Sequence, residues 1–178
     1  MASGYLCLQL HAHLPFIRHP EHEEFMEEDW FYEAVIETYI PMLQTYESLT
    51  NDGIDFRITM SITPPLCEMF ADPLLQDRFV ARLKELIELS EKELNRTKNS
   101  DFYNTALMYH NKLKSCYDVF VNKYNKNLIN GFKHFQDIGK IEIVTCGATH
   151  GFMPLMNINK NAINTINICN CCSSRSAS

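Results

Sequence analysis

GYLCLQLHAHLPFIRHP, residues 4–20, opens with a short apolar run from Tyr5 to Leu10 behind a glycine. That composition reads as a buried strand. It runs directly into His11-Ala12-His13 and then Leu14-Pro15. Side chains alternate along an extended chain, so His11 and His13 face the same way. Pro15 has no N–H and ends regular ladder pairing. Two imidazoles are therefore expected together at the C-terminal end of the first strand. In parallel α/β sheets and barrels, that is the end at which ligands bind.

The whole chain sets the bounds. It has 178 residues, 46% of them hydrophobic and 21% charged, which suits one soluble domain or part of a larger one. A net charge of −6 argues against nucleic-acid or anionic-membrane partners. No apolar run is long enough for a membrane span, and the N-terminus lacks the basic start of a signal peptide. The expectation is a cytoplasmic protein. Of seven cysteines, Cys7, Cys67, Cys116 and Cys146 lie within apolar segments and read as buried, reduced thiols.

An acidic patch follows the opening strand: Glu21, Glu23, Glu24, Glu27, Glu28 and Asp29. It reads as a solvated face, with a loop over the strand-end site as the alternative. From Asp29 to Thr50 apolar residues recur at three and four, which predicts a helix with a kink or a restart at Pro41. Phe56–Thr63 alternates as a second strand and stops at Pro64-Pro65, with at most a helical turn over 66–71. Asp72-Pro73 is an N-cap followed by a first-turn proline. The helix it opens runs to about Arg96. A polar connection leads to a second long helical segment ending near Ile138, with a bend expected at Asn130-Gly131. Two long helices joined by a short turn predict an antiparallel hairpin. His110 lies on its apolar stripe and reads as a packed histidine bonded to backbone rather than as a ligand.

Residues 140–146, KIEIVTC, form the third strand and run into GATHGFMP. The opening pattern recurs: apolar strand, histidine, proline. His11 and His150 are thus expected on neighbouring strand ends, opening to one concave face. Beyond Met156 asparagine, cysteine and serine dominate. Cys169, Cys171 and Cys172 have no second Cys/His cluster at zinc-site spacing. Residues 157–178 read as a disordered or aberrant tail, distinct from 1–156.

HAHLPFIRHP with EEDWFYEAVIETYIPML, and GKIEIVTCGATHGFMPLM later, resemble the two first signature regions of glycoside hydrolase family 57. The wording is closest to its α-1,4-glucan branching enzymes. The resemblance implies an α/β fold, the N-terminal part of an incomplete seven-stranded (β/α) barrel of parallel strands with a long helical hairpin insert. It implies α-glucan chemistry by a retaining mechanism that uses two carboxylates. His11, His13 and His150 match positions that line a sugar subsite, and Trp30 and Phe152 are candidates to stack on sugar faces.

The family's nucleophile, a Glu in a Leu-Pro-Glu context, and its acid/base Asp both lie beyond the matching stretch. No Asp or Glu occurs after Glu142. Glu33, Glu37 and Glu68 do not stand in the nucleophile's context, so no catalytic residue is assigned. The expectation is a truncated enzyme, inactive alone, that binds an α-glucan such as amylose, glycogen or a maltooligosaccharide. It would need no cofactor and hold no metal. Two alternatives stand beside it. One is a metal-dependent amidohydrolase-like hydrolase, because neutral imidazoles in His-x-His at a first strand end can hold a divalent ion. The other is a non-catalytic carbohydrate-binding fragment.

Overall fold

The computed structural model describes residues 4, 6–144, 146, 147, 150, 151 and 154. Strands β1 (Gln9–Ala12), β2 (Ile58–Ile62) and β3 (Ile141–Val144) form a parallel sheet in the order β1-β2-β3. His11 pairs with Ser61, and Ser61 with Val144. Helices α1 (Met26–Ala34) and α2 (Ile40–Asn51) connect β1 to β2. Helices α3 (Pro64–Ala71), α4 (Pro73–Thr97), α5 (Tyr103–Tyr117) and α6 (Ile129–Asp137) lie between β2 and β3.

The described chain divides into two units. The first comprises residues 1–17, 45–71 and 129–178, and holds the sheet with α3 and α6. One sheet face is apolar and largely covered: Ala12, Met60, Ile62 and Ile141 are buried, while Leu10 on β1 stays 38% exposed. Tyr46 stacks on Phe56 and meets Phe135 edge-on, each at 5.6 Å, and Phe70 stacks on Phe132 at 6.2 Å. The other face carries Gln9, His11, Thr59, Ser61 and Glu142, with Val144 as its apolar member, every second residue of each strand. A fully buried parallel sheet would be apolar on both sides. This one keeps a polar face, and the histidines rise from it.

The second unit comprises residues 18–44 and 72–128. Its centre is the expected antiparallel pair, α4 on α5, with Leu75, Phe79, Leu83, Leu113 and Phe120 buried. Phe79 and Phe120 meet edge-on at 4.7 Å. Asp72 caps α4: its Oδ1 accepts from the Leu75 N–H at 3.0 Å.

Several local expectations are sharpened or corrected. At Pro41 the expected kink or restart takes the second form: α2 restarts at Ile40 after a π-helical turn, Val35–Tyr39, with the Ile40 N–H bonded to the Val35 carbonyl. The wider turn accommodates the proline ring and its missing donor. Residues 64–71 form a complete helix, α3, because two prolines fit the first turn, where N–H groups have no intrahelical partner. The second long segment breaks before Asn130-Gly131. It passes through a π-helical turn, Asp118–Lys123, and ends where Asn125 and Lys126 take left-handed φ of 49° and 63°. Gly131 lies buried inside α6. Cys7 is exposed, whereas Cys67 and Cys116 are buried as expected. The tail 157–178 lies outside the described residues.

Candidate functional site

The candidate site is a fan of three imidazoles. His11 and His13 leave β1 and its extension on the same side, with ring centroids 6.1 Å apart. His150 joins them at 4.7 Å from His11 and 4.3 Å from His13. The sheet order separates β1 from β3, so the two histidine-bearing strands are not neighbours as expected; β2 runs between them. The rings meet because the chain turns after β3. The His150 N–H bonds the Gly147 carbonyl at 2.9 Å, and His150 takes a left-handed φ of 57°. That region is uncommon for a residue with a side chain, although histidine enters it more readily than most.

Strand β2 supplies the support. Ser61 Oγ lies 2.5 Å from His11 Nδ1, and Thr63 Oγ1 lies 2.9 Å from His13 Nδ1. His11 and His13 thus each bond a hydroxyl, not a carboxylate. The pKa of His13 lies below the ordinary 6.5, first because burial disfavours its charged form and then because His150 and His11 stand against it. A neutral imidazole offers one donor and one acceptor. Such a donor–acceptor pair at His13 suits an uncharged polyhydroxylated ligand.

Among the described residues, no group of three or more His, Cys, Asp or Glu side chains is arranged to hold a metal ion. The imidazoles stack with interplanar angles of 29–37°.

Trp30 lies on α1 in the second unit, half exposed. Phe152 lies outside the described residues. Glu33, Glu37 and Glu68 are exposed helix or π-turn residues, with Glu37 paired to Lys112. His110 bonds the side chain of Ser90 at 2.9 Å where a backbone partner was expected.

Sequence reading missed two features. The hydroxyls of Ser61 and Thr63 were legible as strand residues but not as partners of the histidines, since register is needed to place them. Glu28 is the other. Within the acidic patch read as solvated, it is 1% exposed. Its Oε1 accepts from Arg78 at 2.5 Å and from the His19 N–H at 3.3 Å, and its Oε2 accepts from the Tyr32 hydroxyl at 2.9 Å. Glu28, Phe31, Tyr32 and Val35 share one helical stripe, which is the signal that could have found it. Glu28, Tyr32 and Arg78 border a cleft of about 470 Å³ that also takes in Phe25, Asp29 and Arg82. Burial and the bond to Glu28 push the Tyr32 phenol far up.

Comparison with known proteins places this geometry in a family. The family model for "Glycosyl hydrolase family 57" matches residues 7–173. A 1,4-alpha-glucan branching enzyme of Thermococcus kodakarensis is 34% identical over 155 residues, covering 86% of this chain and 22% of the relative. The crystal structure of the alpha-amylase AmyC from Thermotoga maritima superposes with a TM-score of 0.84 at 43% identity, covering 89% of this chain and 30% of that one. A GH57-type branching enzyme from Pyrococcus horikoshii gives 0.78 at 32% identity, covering 85% and 28%. The chain therefore spans between a fifth and a third of the length of these relatives. The three parallel strands and their helices correspond to the N-terminal part of the (β/α) barrel of those structures. On the strength of its sequence and its fold, the chain belongs to glycosyl hydrolase family 57.

Proposed function

We propose that this chain carries the sugar-binding histidines of an α-glucan-active enzyme. His11, His13 and His150 hydrogen-bond the hydroxyls of one glucosyl unit. Trp30 and Phe152 are carried as candidate stacking side chains. The observation that supports the reading most is the fan of three imidazoles on a polar sheet face, in a family whose relatives are named for α-glucan branching and α-amylase activity. The full reaction, in this reading, proceeds by retention through a carboxylate nucleophile and an acid some 5–5.5 Å away. None of Glu33, Glu37 or Glu68 fills either role, so these 178 residues bind glucan without turning it over. The amidohydrolase alternative is not favoured, because the family match covers most of the chain.

Calorimetric titration of the chain with maltoheptaose tests the reading. Binding that is lost in the His11→Ala/His13→Ala double variant supports it, and binding unchanged by those substitutions overturns it. Iodine staining of amylose incubated with the chain tests the absence of turnover. Branching or hydrolysis that survives repurification would overturn that part, and its products would tell branching from amylase action.

A further inference from the structure

Strand β2 presents hydroxyls where β1 presents imidazoles. His11 stands opposite Ser61 in the parallel register. The Thr63 N–H bonds the Ala12 carbonyl at 3.0 Å, which carries the register one step past the strand ends. With a side-chain period of two, Ser61 and Thr63 fall beside His11 and His13 in turn. Both are buried, at 7% and 0% exposure.

Thr63 directly precedes α3, a position from which a threonine hydroxyl ordinarily bonds the first free N–H groups of a helix. Here the first two helical residues are Pro64 and Pro65, which have no N–H, so of the usual cap donors that leaves the Leu66 N–H. Among the described residues, the hydroxyl of Thr63 bonds only His13, and that of Ser61 only His11.

A histidine elsewhere in the chain shows the reverse arrangement. The Ser90 hydroxyl donates to the Ile87 carbonyl at 2.6 Å and lies 2.9 Å from His110 Nδ1. Its proton is already committed, so it must accept from the ring, and His110 carries its proton on Nδ1. Ser61 and Thr63 have no such second acceptor among the described residues. If they accepted from the rings, their own protons would be left buried without a partner among the described residues, the costlier choice.

We infer that Ser61 and Thr63 are positioning residues that donate to Nδ1 of His11 and His13, hold both rings in the Nε2–H tautomer, and so aim two N–H donors at oxygen atoms of the bound sugar. The ligand named here rests on the proposed function; the tautomers do not. Protonating His13 would reverse its bond at Nδ1. Burial and the neighbouring imidazoles oppose that step as well, in keeping with its lowered pKa.

Long-range proton–nitrogen correlation spectra of the ¹⁵N-labelled chain read each tautomer directly. The expected result is Nε2–H for His11 and His13 and Nδ1–H for His110. Ser61→Ala should move His11 alone toward the mixture of a free imidazole, and Thr63→Val should move His13 alone. Ser61→Thr and Thr63→Ser, which keep the hydroxyl, should restore the single tautomer. An Nδ1–H ring at His11 or His13, or rings indifferent to the loss of the hydroxyls, overturns the inference. If Thr63→Val does not fold, Ser61→Ala decides alone, with His13 and His110 as references in the same spectrum. Maltoheptaose added to the same samples separates the two ideas. Tautomers as assigned without any sugar-induced shift would sink the sugar reading and leave the positioning role standing.

Discussion

Glu28 and Arg78 form a 2.5 Å ion pair across fifty residues of sequence, with the carboxylate almost wholly out of water. Arg78 does more than neutralise it. The guanidinium also donates to the carbonyls of His19 and His22, at 3.2 Å for the first. One side chain thereby ties the loop ahead of α1 to α4. Around that loop His19 packs on Phe25 at 3.7 Å and His22 stacks on Phe25 at 5.1 Å.

Arg78→Ala leaves the buried Glu28 carboxylate, among the described residues, with the Tyr32 hydroxyl and the His19 N–H. Breaking a buried pair from one side costs about 3–5 kcal/mol. Urea denaturation should show a loss of that size, and hydrogen exchange should show the amides of residues 19–25 losing protection. Replacing both partners, Glu28→Gln with Arg78→Met, should cost less than Arg78→Ala alone, because no unpaired charge remains.

Asp72 serves two partners at once. Oδ1 caps α4, and Oδ2 accepts from Arg18 Nε at 2.6 Å. Asp72→Ala should destabilise by about 1–2 kcal/mol, most of it the lost cap. Asp72→Asn keeps a capping oxygen and gives up the charge. It should cost well under half as much in the same denaturation experiment, since a partly exposed ion pair contributes little.

Acid should loosen the imidazole fan before it affects the carboxylates. His13 has a folded pKa below its ordinary 6.5, so the unfolded chain binds the proton more tightly. Its contribution to stability is complete above about pH 6.5 and is lost as pH falls through the lower folded value. Glu21 and Glu93 are lowered from 4.5, the first mainly by its own backbone N–H and the second by Arg96, and Asp55 is lowered from 3.8 by Arg57. Their windows open only below those values. Thermal unfolding at pH 7.5 and 5.5 should therefore differ more for the wild-type chain than for His13→Asn.

Thiol reactivity should sort by burial. Desolvation pushes the Cys116 thiol up to about 11, and its sulfur faces the Ile36 carbonyl at 3.8 Å. Cys7 is exposed. Mass mapping after brief iodoacetamide treatment at pH 8 should find Cys7 modified and Cys116 intact, with Cys116 reacting only after denaturant is added.

The parts legible in the sequence were those governed by period and punctuation. The alternation of Phe56–Thr63 and the three-four stripe through Leu75, Phe79 and Leu83 led to β2 and α4 without help. The parts that were not legible depend on compensation between segments. Pro41 reads as a kink or a restart, and only the π-helical turn before it shows how the restart absorbs the ring. Pro64-Pro65 ends a strand and also begins a helix, and only the second role shows that residues 64–71 complete α3. Glu28 looked solvated because its neighbours are acidic, while its cation arrives from another helix. His150 was placed beside His11 by a repeated pattern. What brings the rings together is the turn after β3, which reaches across the intervening strand.

The pairing of His11 with Ser61 also sets which genetic changes this chain can absorb. Exchanging one side chain on β1 or β2 disturbs one rung. Inserting or deleting a single codon between Gln9 and His13 shifts every later residue by one place, and a one-place shift in a strand inverts its faces. Ala12 would then take the polar side, and the imidazoles would be driven into the layer that Met60 and Ile62 occupy. Length within this short segment is therefore held more tightly than composition, and libraries built on it should vary letters while leaving the count fixed.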